Sequence, residues 1–194
     1  MNHFYIVRHG ETLNNVAKRL SGWIDTPLTE TALEATYRAI AKLNDVQIDE
    51  IYSSDSGRAF VTAYVIARKL GYPHEIIRLP GLREVNYGDA ANMITDEAYK
   101  LYPELDSGTH YTPPNGESLH AMQTRVLATI NELNNHHSGS VLLIVAHSGV
   151  MAALNASYLG QDFGAHNISE AYAHDYVAQF TVEDAKVASF EEVV

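Results

Sequence analysis

Arg8 and His9 stand side by side where the apolar run of residues 4–7 stops, and Gly10, Glu11, Thr12 and Asn15 follow in a short polar segment. A histidine held beside a fixed cation is a candidate nucleophile for a phosphoryl group. Imidazole is nucleophilic near neutral pH, and the guanidinium draws the anion in. Two later junctions carry matching chemistry: Arg58 lies just beyond the polar run Ser53-Ser54-Asp55-Ser56, and His147-Ser148-Gly149 ends the apolar run of residues 141–146. Two arginines can grip a phosphoryl group bidentately and neutralise the charge that spreads over its equatorial oxygens. A second histidine can donate to the same oxygens as their geometry changes. An alkoxide leaves poorly, so the reaction also needs a proton donor. Glu84, in Leu82-Arg83-Glu84, is placed to serve as general acid, with Asp89 and Glu117 as alternatives on the same side of the chain. The plainer readings are histidines that cap strand ends and arginines in ordinary surface ion pairs.

Such residues need elements that deliver them to one place. Residues 4–7 read as a buried strand, and residues 14–25 as an irregular polar stretch ended by Pro27. Leu33, Tyr37 and Ile40 recur at i, i+4 and i+7, which predicts a helix over about 29–43 with Thr29 as N-cap. A strand over 48–53 and a helix over about 57–70 follow, the helix stopped by Gly71. Residues 74–79 read as a third strand. The stretch 86–116 is the least regular and reads as a lid or insertion, with a short helix over about 95–102 and the turn Pro113-Pro114-Asn115-Gly116. An amphipathic helix spans 117–136. Residues 141–146 are apolar throughout, as a central parallel strand covered on both faces must be, and a helix over 150–159 follows. Alternating patterns at 172–180 and 186–193 predict two antiparallel strands near a sheet edge. The sum is a single α/β domain over residues 1–194, a three-layer α/β/α sandwich with a mostly parallel sheet and an antiparallel edge. In such a fold, strand ends open into a crevice at the carboxyl edge of the sheet.

Composition narrows the function. The chain has no cysteine, which removes disulfides, thiolate metal sites and cysteine nucleophiles. The net charge of -11 argues against nucleic acid or an acidic membrane surface as partner. Up to Arg83 there are ten basic against nine acidic residues, and beyond it three against fifteen, so an anion-binding site must draw its cations from the first part. No apolar run approaches the ~20 residues of a membrane span, and Met1-Asn2-His3 leads straight towards a strand, so a cytoplasmic location is expected. The remaining histidines, His166 among them, form no i, i+4 pair with a carboxylate partner. His136-His137 reads as a solvated helix end rather than a metal site. Tyr87, Tyr99, Tyr102 and Tyr111 either line a substrate pocket or pack the small helix.

The string Arg8-His9-Gly10-Glu11-Thr12 with Asn15 resembles the signature of the histidine phosphatase superfamily, the phosphoglycerate-mutase-like enzymes. So, in order, do Gly22, Asp25 and Pro27-Leu28-Thr29; Ser54-Asp55, Arg58-Ala59 and Thr62-Ala63; Leu82-Arg83-Glu84 and Gly88; Gly116-Glu117-Ser118; and Ala146-His147-Ser148-Gly149. The resemblance covers residues from about 4 to 160. It implies that His9 is phosphorylated, that Arg8, Arg58 and His147 surround the phosphate, and that Glu84 donates the proton and then activates water. It implies further phosphate or substrate contacts from Asn15, Ser21, Gly22 and the Ser148 N–H, with no metal and no cofactor. The chain departs from the pattern at Ser56, where leucine is usual, at Ala32, where glycine is common, and after Gly88, where Asp89-Ala90-Ala91-Asn92 replaces the more frequent Trp-Glu-Gly. The expected activity is hydrolysis of a small phosphorylated metabolite. A phosphoglycerate-mutase-type isomerase is the alternative, and a non-catalytic phosphate sensor is a third reading. Lys100 is the only cation between Asp89 and His120, which favours hydrolysis, whereas Arg19 and Trp23 resemble the mutase loop.

Overall fold

The computed structural model of the chain describes residues 1–164 and 172–194. At its centre is β4 (Val141–Ala146), whose apolar residues are buried almost without exception because both faces of the strand are covered. It pairs in parallel with β1 (His3–Arg8) on one side and β2 (Glu50–Ser54) on the other. β3 (Ile77–Leu79) adds in parallel to β2. β5 (Val177–Glu183) and β6 (Lys186–Glu192) extend the other side antiparallel, so the order is β3-β2-β4-β1-β5-β6.

Strand side chains alternate between the two faces and build two apolar clusters. Val7, Ile51, Leu143 and Val145 pack with α2 (Ala32–Ala41) and α3 (Gly57–Leu70). Phe4, Ile6, Leu142 and Ile144 pack with α6 (Leu119–His136) and α7 (Ser148–Leu159). Phe4 also stacks on Phe180 of β5, ring centres 4.9 Å apart. The fold is therefore the predicted three-layer α/β/α sandwich. Among the described residues, no helix is long and apolar enough to cross a membrane, and no group of three His, Cys, Asp or Glu side chains is placed to hold a metal ion. His166 lies outside the described residues.

Several boundaries differ from expectation, each for a local reason. Thr29 does not cap α2. Its hydroxyl bonds the Glu11 carboxylate, and the helix starts after Thr31. α7 begins at Ser148, directly from the end of β4, rather than at 150. The third strand is only three residues long. Residues 172–176 alternate like a strand but lie outside β5: the Tyr172 carbonyl accepts from Arg8, the His174 ring bonds the His9 carbonyl, Asp175 pairs with Arg38, and the Tyr176 N–H turns back to the Ala173 carbonyl. His137 is not a solvated helix end: its Nε2 lies 2.9 Å from the Tyr52 hydroxyl, which bonds Glu50.

Residues 86–116 contain a 3₁₀ turn at Gly88–Ala90, α4 (Thr95–Leu101) and α5 (Glu104–Ser107). Together with α1 (Leu13–Val16) and the loop after it, they cover the carboxyl edge of the sheet. Residues 92–95 lie antiparallel to residues 18–20, joined by the Leu20 N–H to the Met93 carbonyl, the Thr95 N–H to the Lys18 carbonyl, and an Arg19–Ile94 bridge. Gly88 has a φ of +53° and abuts the Pro114 carbonyl and the Gly116 nitrogen, so a side chain there meets both strain and collision.

Candidate active site

Parallel pairing in register places the ends of β1 and β4 together: Arg8 faces Ala146, and the His9 N–H bonds the Ala146 carbonyl at 3.0 Å. His147 begins where β4 stops, and its ring meets that of His9 edge-on at 5.2 Å between centroids. Arg58 sits in the first turn of α3, one strand further along. Three strand ends thus deliver four of the predicted residues to one crevice. A cavity of about 120 Å³ is lined by Arg8, His9, Asn15, Ser21, Gly22, Arg58, Glu84 and Ser148, all of them predicted, together with Arg19, Leu20 and Tyr87. His147 lines an adjoining cavity of about 250 Å³ with Trp23, Asp25, Asp55, Ser56 and Arg83, and Gly22 and Glu84 border both.

The protons on the two histidines follow from their partners. His9 Nδ1 lies 2.7 Å from the Gly10 carbonyl, which only accepts, so Nδ1 carries the hydrogen and Nε2 the lone pair. His147 is the reverse. Its Nδ1 lies 3.3 Å from Arg58 Nη2, which only donates, so Nε2 bears the hydrogen and gives it to the Ser54 hydroxyl at 2.9 Å. Burial comes first among the causes that hold both imidazoles well below the ordinary histidine pKa, and the charges of Arg58 and Arg8 act in the same direction. Both rings are therefore neutral at pH 7.

Arg58 is 3 % exposed. It bonds the Gly22 carbonyl at 2.7 Å and the Ile24 carbonyl at 3.0 Å, with Asp25 at 3.4 Å. The Asp25 carboxylate also accepts the backbone N–H groups of Gly57 and Arg58, so it caps α3 and pairs with its arginine at once. Arg8 donates to the Tyr172 carbonyl at 2.5 Å. Burial lowers the pKa of both guanidiniums, and the nearby Glu84 carboxylate opposes that shift. Four buried side-chain donors have no hydrogen-bond partner among the described residues: Arg8 Nε, Thr26 Oγ1, Arg58 Nε and Ser148 Oγ. Three of the four, those of Arg8, Arg58 and Ser148, belong to residues lining the His9 cavity, whereas Thr26 lines a separate one. Asn15 spends its oxygen on Thr12, whose N–H and hydroxyl it accepts at 3.0 and 2.8 Å, which leaves its NH₂ as the donor available to the cavity. Each Glu84 carboxyl oxygen accepts a backbone N–H, Val85 at 2.9 Å and Gly149 at 3.1 Å.

Two neighbours of the site escape sequence reasoning. His174 Nδ1 bonds the His9 carbonyl at 2.7 Å, with its ring 5.7 Å from that of His9. Only the cluster His174-Asp175 after an apolar run could have hinted at it. Ser56, where the chain departs from the resembled pattern, sets its hydroxyl 3.4 Å from His147 Nε2.

The buried His9 and His147 and the half-buried His174 predict how stability varies with pH. Burial lowers the His174 pKa as well. Each ring binds a proton in the unfolded chain before it does so in the folded one, so the unfolded state holds more protons below about pH 6.5. Stability is expected to be fully present above that pH and to fall as the medium is acidified. Urea midpoints measured from pH 8 to 5 should decline, and His147→Gln should flatten the slope. A midpoint that rises on acidification contradicts this.

Comparison with known proteins agrees with the geometry. Residues 4–191 match the sequence profile of the histidine phosphatase superfamily (branch 1). Phosphoglycerate mutase-like protein 4 of Arabidopsis thaliana is 33% identical over 156 residues, 77% of this chain and 67% of the relative. The probable phosphoglycerate mutase GpmB of Yersinia pestis (strain Pestoides F) is 33% identical over 165 residues, 82% of this chain and 76% of the relative. Among solved structures, YhfR of Bacillus stearothermophilus superposes with a TM-score of 0.84 at 30% identity, covering 96% of this chain and 94% of its own. The alpha-ribazole phosphatase of Shigella flexneri superposes with a TM-score of 0.83 at 25% identity, covering 99% and 96%.

Proposed function

Because the chain belongs to the histidine phosphatase superfamily, we propose that it is a metal-independent phosphomonoester hydrolase that carries the phosphoryl group on His9. The observation that supports this most is the set of buried donors without partners, Arg8 Nε, Arg58 Nε and Ser148 Oγ, around a neutral histidine whose Nε2 holds a lone pair. Buried donors call for an acceptor, and a phosphoryl group brings three oxygens.

In the first step His9 Nε2 attacks phosphorus and the bond to the ester oxygen breaks. Glu84 gives its proton to that oxygen, releasing an alcohol. The Gly10 carbonyl steadies the positive charge that grows on the ring through Nδ1–H. Arg8, Arg58, Asn15 and Ser148 hold the transferring oxygens, and Gly22 and Ser21 border the path. The incoming dianion offsets the positive charge of Arg58 beside His147, so that ring can take up a proton and donate through Nδ1 to an oxygen. In the second step water attacks phosphorus, Glu84 takes its proton, and the phosphorus–nitrogen bond breaks to return neutral His9 and inorganic phosphate. The alcohol half occupies the larger cavity beside Trp23, Ser56 and Arg83, with residues 86–116 as a lid. The substrate is a small phosphorylated metabolite.

A brief reaction with a ³²P-labelled ester, quenched in alkali, should leave acid-labile label on His9. Failure to find any label sinks the proposal. A mutase is the second reading, because Arg19 lines the same cavity as His9 and can meet a second anionic group. 3-Phosphoglycerate supplied with bisphosphoglycerate separates the two: free phosphate supports hydrolysis, and positional isomer supports the mutase.

Gly149 gives a local test of Glu84. A Cβ at this position would collide with the Glu84 carboxyl group. Gly149→Ala is expected to reduce kcat/KM on alkyl esters by about 10-fold or more through loss of the positioned proton donor. Unchanged turnover would move the donor elsewhere.

A further inference from the structure

Arg125 and Glu117 belong to no part of the reaction as described, yet every hydrogen on the Arg125 guanidinium is committed to one place. Nη1 donates to the carbonyls of Gly81 at 2.9 Å and Arg83 at 3.0 Å. Nη2 donates to the Glu84 carbonyl at 3.4 Å and to Glu117 Oε1 at 2.6 Å, and Nε donates to Glu117 Oε2 at 3.3 Å. Glu117 Oε1 also accepts the Asn86 N–H at 3.0 Å, while the Glu117 N–H bonds the Asn86 carbonyl at 2.9 Å. The pair therefore grips the backbone of residues 81–86 at five groups, with Glu84 in the middle. The pair is mostly shielded, with side-chain exposures of 23% and 17%, and its bonds run to carbonyls rather than to water, unlike an ordinary surface ion pair.

The other side of the same segment is held as well. Trp23 Nε1 donates to the Glu84 carbonyl at 2.8 Å. Arg83 lies over the indole, 4.6 Å from its centre, and forks onto Asp55 at 2.7 and 2.6 Å. We propose that the Arg125–Glu117 pair is a positioning clamp that sets where the Glu84 carboxyl group stands over the leaving oxygen. This rests on the hydrolase reading for its catalytic consequence and on the contacts alone for its mechanical one. A fork of five N–H groups cannot be reproduced by an ammonium, so Arg125→Lys should loosen the segment while keeping the charge.

The test compares Arg125→Lys with wild type in two ways. The first is kcat/KM, which reads phosphohistidine formation, on p-nitrophenyl phosphate and on glycerol phosphate. The nitrophenolate leaves with little help, whereas the alkoxide needs its proton. The clamp predicts a fall of about 10- to 100-fold on glycerol phosphate and less than about 3-fold on the aryl ester. Equal losses on the two esters, or none, overturn it. The second uses Trp23, the only tryptophan in the chain, which reports directly on the Glu84 carbonyl. Acrylamide should quench its fluorescence more in the variant, and unchanged quenching overturns the clamp. If Arg125→Lys does not fold, Glu117→Gln serves instead, with the same pattern at smaller size. If wild type turns over neither ester, the hydrolase reading fails, and the quenching comparison alone decides the clamp.

Discussion

His9→Ala is expected to lower kcat/KM on any phosphomonoester by at least about 10⁴-fold, because among the described residues His9 is the only imidazole lining the cavity. His147 cannot step in: its Nδ1 faces Arg58 and its Nε2 hydrogen is bound to Ser54. The anion grip should survive, since Arg8, Arg58 and Ser148 keep their donors, so inorganic phosphate or vanadate should still bind. That split between lost turnover and retained binding is what steady-state kinetics together with calorimetry would show. Turnover preserved in the variant would place the nucleophile elsewhere. Turnover absent from both proteins, with binding intact, would instead favour a phosphate-sensing protein.

Arg58→Ala comes next in size, with an expected loss of about 10³-fold in kcat/KM. Its guanidinium is the most buried positive charge in the site, at 3 % exposure, where electrostatic interactions are least screened. Lysine should not restore activity. It lacks the fork that reaches the Gly22 and Ile24 carbonyls while presenting Nε. A second signature is independent of chemistry. Arg58 is the leading charge that lowers the His147 pKa, after burial, so its removal should raise the titration of His147 towards the ordinary histidine range. NMR titration of the ring would follow it, and a downward shift would contradict the assignment of its Nδ1 as acceptor.

The fold and the strand-end residues could be read from the chain because both depend on short-range patterns. An apolar run that halts at Arg8-His9 or at His147-Ser148 says where a strand ends and what it delivers. Arg58 and Glu84 were legible for the same reason. Other parts of the site act across distances that no local pattern records. Asp25 caps a helix beginning at Gly57. Arg125 lies on the polar side of an amphipathic helix, where a charge usually means only solvent, and three of its acceptors are carbonyls more than forty residues back. His174 was hidden by an alternation that imitates a strand, whereas residues 172–176 serve as a strap whose carbonyl and imidazole hold Arg8 and His9.

The strand order has a kinetic meaning. β1 and β4 are neighbours in the sheet, yet His3 pairs with Val141, and β2 reaches β1 only through β4. Loop closure over such a separation must precede any reward from parallel pairing, and sheets of this kind form slowly. No early hairpin or isolated helix pair contains both histidines. In a refolding chain the crevice that joins His9 to His147 is therefore expected to assemble late, once the central strand has inserted between its two partners.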